Sequence, residues 1–280
     1  MRVRAWGVRG SIPTPGSKTA AFGGNTPCVQ ITGDDGGELI LDAGSGIRGL
    51  GVDLFGRCRR LDILLTHLHL DHIQGLLFFA PLFDPEVEIT VWGPPGRVPL
   101  RKRLARYLST PLSPVEIRDL PARVAFEEVP SGGWRLGEFR VRGALVAHRG
   151  PTLGYRVEHS GASLCYLPDH EPGLGTSLPS MPADWISGLG LARGATALIH
   201  DSQYTDDEYP SRRGWGHSRL SDTLAFAQRA RPERLLLFHH DPSHDDAQLQ
   251  SLAREAGERS AGLQLDSRID LAREGRVLDL

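Results

Sequence analysis

Seven residues, THLHLDH at positions 66–72, carry three histidines and an aspartate. The chain has eleven histidines, and these three directly follow the apolar run LDILL, which reads as a buried strand. One imidazole at a strand end can be satisfied by backbone carbonyls. Three imidazoles and a carboxylate meeting on one loop would leave polar groups unpaired or charged rings in mutual repulsion, unless a cation joins them. His67 and His69 are spaced by two and share a face on an extended segment. Asp71 and His72 follow at the bend into IQGLLFF and offer a second set of donors. One ion could not draw on all four from so short a loop without strain, so the loop predicts two.

The remaining donors should come from other strand ends. Five apolar runs terminate in His or Asp: LDILLTHLH, ALVAH, LCYLPD, ALIHD and LLLFHH. Strand ends along one sheet edge bring distant sequence positions into one cleft. His148, closing RGALVAH, supplies the third imidazole of the first ion, and Asp169 in YLPDHEP a carboxylate shared by both. A histidine of LLLFHHDP completes the second. His239 ends the apolar run directly and is preferred, with His240 as the alternative. Imidazole and carboxylate donors without thiolate suit two divalent ions, zinc or manganese with iron a further option, and do not choose among them.

The elements holding these residues must be short, because 33 glycines and 20 prolines punctuate the chain throughout. Strand-like stretches run from RVRAW and CVQI to ATALIHD and RLLLFH. The helical ones are SGIRGLGVDL, IQGLLFFAPL, PLRKRLARYL, DTLAFAQRARP and DAQLQSLAREAGERS. Strands dominate the first half, interrupted by single helices rather than regular alternation. That predicts an α/β fold of two mixed β-sheets packed face to face with helices outside, in one domain over residues 1–280. The net charge of −2 offers no broad attraction to nucleic acid or an anionic membrane. A small anionic substrate remains compatible with it, since a metal centre brings its own positive charge. Cys28, Cys58 and Cys165 form no C-x-x-C pair and read as reduced apolar filler. The N-terminus MRVRAWGVRGSIP has no apolar signal core, and no run approaches membrane-spanning length, so a cytoplasmic location is expected.

The THLHLDH loop, followed in order by His148, Asp169 and His239, resembles the metallo-β-lactamase superfamily of metal-dependent hydrolases. LILDAGSGIRGLG, with Asp42 and Gly44, resembles the element preceding the histidine loop in that family, which makes Asp42 a supporting residue rather than a ligand. The resemblance implies a four-layer αβ/βα sandwich with a dinuclear site on one edge. RRGWGHSRLSDTLAFAQRA, with His217 and Ser218, is similar to the HS element of the RNase Z-like and phosphonate-pathway cyclic phosphodiesterase branches, where the histidine reaches the scissile phosphate. LIHDSQYTDDEY resembles the strand whose acidic residue holds that histidine, here Asp201. GVRGSIPTPG, FGGNTPCV and FHHDPSHDD are similar to a bacterial subgroup of cyclic-nucleotide-phosphodiesterase-like proteins.

What this implies is a phosphodiesterase acting on a small or cyclic phosphodiester, with cyclic nucleotides among the candidates, through a hydroxide bridging the two metals. His217, oriented by Asp201, would be the general acid, and Asp71 would serve the reaction as well as the ions. Family members that process tRNA carry a long glycine- and basic-rich arm. The segment HEPGLGTSLPSMPADWISGLGLARG between Asp169 and His217 is too short and too weakly basic for that, so no long nucleic-acid-binding arm is expected. A homodimer follows by analogy only. The alternatives are a lactonase- or thioesterase-type metal hydrolase and a non-catalytic metal-binding sensor; the full donor set argues against the second.

Other residues carry smaller expectations. Arg97, Arg101, Lys102, Arg103 and Arg106 read as a solvated helix face, with phosphate steering as the minority option. Arg149 suits a phosphate contact or a rim salt bridge. His170 and His200 read as buried hydrogen-bonding residues and His159 as an exposed residue at a hairpin. Asn25 and Thr26 are candidates for the cleft lining. Ser218 or Ser221 is expected to cap one helix, and His244, Asp245 and Asp246 the start of the last.

Overall fold

The computed structural model describes every residue except 175. The first part of the chain forms β1 (Arg2–Gly7), β2 (Cys28–Thr32), β3 (Glu38–Leu41), β4 (Arg60–Leu64), β5 (Glu88–Gly93) and β6 (Arg123–Glu128). There follow β7 (Gly133–Leu136), β8 (Phe139–Leu145), β9 (Leu153–His159), β10 (Ala162–Leu167), β11 (Ala197–Asp201), β12 (Arg234–Phe238), β13 (Arg268–Leu271) and β14 (Val277–Asp279). The α-helices are α1 (Ile47–Leu54), α2 (Leu70–Ile73), α3 (Leu100–Leu104), α4 (Leu189–Ala192), α5 (Leu220–Ala230) and α6 (Asp246–Gly262).

Among the described residues the strands form two seven-stranded sheets, ordered β14-β1-β2-β3-β4-β5-β6 and β13-β12-β11-β10-β9-β8-β7. Each is mixed. Pairing is antiparallel from β14 to β3 and parallel from β3 to β6 in the first sheet. In the second it is parallel from β13 to β10 and antiparallel from β10 to β7. The sequence matches this division. The parallel strands β4, β11 and β12 read RLDIL, ALIHD and RLLLF, nearly continuous apolar runs buried on both faces. The antiparallel β8, FRVRGAL, begins with alternating buried and outward residues.

Three apolar layers separate the elements. Val29, Ile31, Leu41, Tyr155, Tyr166 and Phe238 belong to the layer between the sheets. Ile47, Leu50 and Leu54 of α1 cover Ile63 and Leu65 on one outer face. Leu224 and Leu249, from α5 and α6, cover Leu198 and Leu235 on the other. The result is the expected αβ/βα sandwich. Its parallel arrangement puts the carboxyl ends of β4, β10, β11 and β12 on one edge, where α/β sheets place their ligands.

The structure differs from the sequence reading in four local respects. IQGLLFFAPL is not one helix: α2 gives way to short 3-10 turns at Leu76–Phe78 and Ala80–Phe83, divided around Gly75 and Pro81. Neither Ser218 nor Ser221 caps α5. The Ser218 hydroxyl donates to the His170 carbonyl (2.6 Å), and that of Ser221 donates to Asp206. At α6 the cap is Asp245, in a reciprocal box with Gln248 (2.9 and 3.0 Å), while Asp246 instead accepts from the backbone of Ala21 and Phe22. His159 is mostly covered, its side chain only 9% exposed, and pairs with Asp34 at 2.8 Å and Glu138 at 3.3 Å. No helix among the described residues is long and apolar enough to cross a membrane.

Candidate metal centre

The segment after β4 carries Thr66 to His69, then α2 with Asp71 and His72. His148 follows β8, Asp169 follows β10, and His239 directly follows β12. The structure brings all seven expected donors together in two groups that share one residue. His67, His69, His148 and Asp169 offer one atom each within 4.8 Å of one another, and so do Asp71, His72, Asp169 and His239. Asp169 faces both, one oxygen to each. Its Oδ2 lies 3.6 Å from His67 Nε2 and 3.5 Å from His148 Nε2; its Oδ1 lies 3.0 Å from His72 Nε2 and 3.2 Å from His239 Nε2. Asp71 Oδ2 stands 3.4 Å from His72 Nε2 and 3.3 Å from His239 Nε2.

The orientation of the rings is set from behind. His72 Nδ1 donates to Asp42 Oδ2 at 2.8 Å, His148 Nδ1 to the Gly216 carbonyl at 2.7 Å, and His239 Nδ1 to Gln203 Oε1 at 3.1 Å. His67 Nδ1 meets the Thr66 hydroxyl at 3.0 Å, and that hydroxyl in turn reaches Asp42. With Nδ1 occupied, each of these rings turns Nε2 and its lone pair inward. His69 is the exception: its Nδ1 faces the group, 3.3 Å from His148 Nε2. Asp42 thus holds two rings indirectly or directly, and also accepts from the Tyr166 hydroxyl at 3.0 Å.

The backbone is bent to permit this. Asp42, His239 and Ser11, all at the cluster, have positive φ (59°, 60° and 64°), unusual for residues with a Cβ. Ser11 N donates to Asp71 Oδ2 at 2.8 Å, which explains part of the GVRGSIP stretch. Gly10 leaves room for His239: a Cβ there would lie 2.4 Å from His239 Nδ1.

The donor set fits divalent cations. His67 Nε2, His72 Nε2 and Asp169 Oδ1 are buried and lack a hydrogen-bond partner, an expensive state for a protein interior unless a cation takes their lone pairs. Burial pushes the imidazoles of His67, His69 and His148 down, toward the neutral form that binds metal. His72 shows the complement. Burial opposes its charge, yet Asp169, Asp71 and Asp42 outweigh it and push its value well up, so the carboxylates demand a positive charge at this point.

Beside the cluster lies the other expected pair. His217 Nδ1 donates to Asp201 Oδ2 at 2.7 Å. Asp201 is fully engaged by that ring and by the backbone N–H groups of His170, Gln203 and Ser218. Asp201, His217 and His239 also lie close enough to suggest a third metal group, but the engaged carboxylate makes it a hydrogen-bonded pair instead. The His217 ring stacks on His239, centroids 4.9 Å apart at 15°. Burial disfavours its charge, but Asp201 prevails and its pKa is pushed up to about 9.

His240, the alternative to His239, is a core residue whose Nε2 donates to the Ala272 carbonyl at 2.9 Å, with its pKa pushed down to about 3 by burial. His170 and His200 form a buried pair, Nδ1 to Nε2 at 3.0 Å. Thr26 and Asn25 support the cluster from outside: Thr26 Oγ1 accepts from Ser45 N and the Gln74 amide, and Asn25 binds Glu274. The basic run is not simply a solvated face, because Arg97, Arg103 and Arg106 line a cavity that His67 and His69 also line.

Sequence reasoning passed over Glu171 and Gln203. Glu171 is buried, and its carboxylate accepts from Tyr209 Oη (2.6 Å), Gly214 N (2.9 Å) and Gly216 N (2.8 Å), fixing the segment that carries His217 and the carbonyl behind His148. Gly216 cannot be replaced freely there, since its φ is 96° and a Cβ would stand 2.4 Å from His148 Nδ1. Glu171→Ala is expected to cost about 3 kcal/mol, from buried N–H groups left unpaired, and to lower Tm by roughly 5–10 °C. An unchanged melting curve would reject this role.

The fold and the clustered donor groups fit a metal-dependent hydrolase. Residues 38–240 match the family model described as a β-lactamase superfamily domain. A ribonuclease Z from Mycolicibacterium gilvum is 30% identical over 232 residues, covering 74% of this chain and 76% of that protein. Among solved structures, zinc-bound PqqB from Methylobacterium extorquens aligns at TM-score 0.72 and 18% identity over 100% of both chains. A diphosphatase of the PhnP family aligns at TM-score 0.70 and 18% identity over 100% of this chain and 97% of that one. The chain belongs to the β-lactamase superfamily. Within it, the chain is a metal-dependent hydrolase of the RNase Z-like branch.

Proposed function

We propose that the protein is a phosphodiesterase for a small or cyclic phosphodiester, using two divalent cations held by His67, His69, His148 and Asp169 and by Asp71, His72, His239 and the same Asp169. The observation that carries the reading is the His217–Asp201 pair, 2.7 Å apart and stacked against His239 at the edge of the donor cluster. Hydrolysis of an ester with a good leaving group does not need an acid at this place; expulsion of an alkoxide from phosphorus does. The name of the M. gilvum relative, a ribonuclease, supports phosphodiester chemistry.

Cations in the cluster would supply Lewis-acid polarisation of a phosphoryl oxygen and a nucleophile at neutral pH. The chain itself supplies alignment and a proton. Asp201 accepts from His217 Nδ1 and favours the doubly protonated ring, which leaves a second proton on Nε2 to give, and its own position is held by three backbone donors. Stacking on His239 and the edge of Tyr204, 5.9 Å away at 89°, fix the ring plane. His217 Nε2 then donates its proton to the departing alkoxide oxygen.

Assays of the zinc- and manganese-loaded protein on bis-p-nitrophenyl phosphate and on a homoserine lactone test the substrate class directly. Faster turnover of the diester is expected. A lactone hydrolysed as fast or faster would transfer the protein to the other class of metal hydrolase.

A further inference from the structure

A ring of contacts closes at the His239 end of the cluster. His239 Nδ1 donates to Gln203 Oε1 at 3.1 Å, and Gln203 Nε2 donates to Asp241 Oδ2 at 3.4 Å. Arg212 Nη1 donates to the same Asp241 oxygen at 3.2 Å, and its guanidinium lies over the Tyr204 ring, 4.8 Å from the centroid. Tyr204 meets the His217 ring edge-on, and His217 stacks on His239, which completes the circuit. Gln203, Tyr204 and Asp241 are buried, whereas the Arg212 side chain is 30% exposed. The backbone ties Tyr204 to the segment after His217 as well: its N–H donates to the Ser218 carbonyl and its carbonyl accepts from Leu220 N, both at 3.1 Å.

The polarity of this ring is fixed at Asp241. A carboxylate can only accept, so the Gln203 amide must turn its NH2 toward it. That leaves the amide oxygen for His239, which then carries its proton on Nδ1 and keeps the Nε2 lone pair for the donor group. The second amide hydrogen reaches Ser11 Oγ at 3.4 Å, and Ser11 N holds Asp71, so one amide reaches the supports of two donors in the same group. Asp241 has no freedom either: Oδ1 accepts from the backbone N–H and the hydroxyl of Ser243, while Oδ2 takes Gln203 and Arg212. A buried carboxylate needs a counter-charge, and Arg212 supplies it. The same guanidinium bears on Tyr204 and, through it, on the ring of the proposed acid. We infer that Asp241 and Arg212 are positioning residues. Asp241 sets the tautomer of the metal ligand His239 by way of Gln203, and Arg212 joins that ligand to the placement of His217. Neither is one of the seven donors. The first half rests on the cations alone and the second on the phosphodiesterase reading, so the two fail separately.

Metal affinity is measured first, by competition between the protein and a fluorescent zinc chelator. The unmutated protein is expected to hold two ions. Asp241→Ala should weaken one of them about 10–100-fold, the usual cost of removing the support behind a ligand, and leave the other nearly unchanged. Gln203→Leu should do the same. The deciding measurement is the double variant: because Asp241 acts on the metal only through Gln203, Asp241→Ala should add nothing in the Gln203→Leu background. Asp241→Asn keeps the volume but offers one oxygen to two sets of donors. It should show a smaller loss of the same kind, and it carries the test where the alanine variant does not fold. Losses that add in the double variant, equal weakening of both ions, or unchanged affinity overturn the role of Asp241. An unmutated protein that binds no divalent ion removes the metal reading and the inference with it. The second measurement takes Arg212→Met at saturating zinc. Its kcat on a phosphodiester with an alkoxide leaving group should fall about tenfold further than its kcat on bis-p-nitrophenyl phosphate, since only the former needs a well-placed acid. An equal fall on both overturns the link to His217. Absence of diesterase activity in the unmutated protein would remove the proposed function and the Arg212 half, and leave the Asp241 result standing.

Discussion

His217→Ala is expected to slow hydrolysis of a phosphodiester with an alkoxide leaving group by about 10²–10⁴-fold, the usual worth of a positioned general acid. On bis-p-nitrophenyl phosphate the same variant should lose far less, because p-nitrophenolate departs without a proton. Metal content, measured by elemental analysis, should stay at the unmutated level. The geometry supports this separation: His217 leans on Asp201 and His239 without being one of the seven donors in the paired groups. Its pH dependence has a definite sign. Asp201 raises the folded pKa of His217 to about 9 against burial, so the proton is held at neutral pH and lost as pH climbs through that value. Cations alongside would pull the value back toward neutrality, nearer the optimum for an acid. The alkoxide substrate should therefore show a basic-side decline that the phenolate substrate lacks. Equal losses on both substrates would remove His217 from the acid role.

The second large effect is expected at Asp169. Its two oxygens face different donor groups, so Asp169→Ala strips a carboxylate from both at once. The remaining imidazoles then lack their shared counter-charge. The variant should retain fewer than two metals per chain by elemental analysis, and phosphodiester turnover should fall by about three orders of magnitude or more, as expected when a metal-assisted reaction loses its centre. A fully metallated Asp169→Ala protein would refute the shared-carboxylate assignment. Circular dichroism separates loss of metal from loss of fold.

The cluster was legible in the sequence because its donors fall at strand ends, and apolar runs ending in His or Asp survive as a one-dimensional signal. His67, His69, His148, Asp169 and His239 all carry it. The expectation of a two-sheet sandwich rested on the same runs. What escaped lacks such a signal. β7, β13 and β14 are three or four residues long, partly exposed and at or near sheet edges, so GWRL, RIDL and VLD show neither a buried run nor a clear alternation. IQGLLFFAPL was apolar enough for a helix, but glycine and proline divide it. Gln203 shows only that it lies two residues beyond Asp201, and Glu171 only that it follows Asp169. Their partners, His239 and the 214–216 segment, are distant in sequence. The basic run gave its charge but not its neighbours, since only the folded chain sets α3 beside Arg149.

Neither sheet owns the donor cluster. His67, His69, Asp71 and His72 arrive from the first sheet, His148, Asp169 and His239 from the second, and they meet across the seam. Cations seated there would act as rivets as well as reagents, because they would bind the closed sandwich and not the opened one. Starvation for metal would thus loosen the rim of the molecule and expose it to proteases, so that supply of the ion governs the lifetime of the chain along with its turnover.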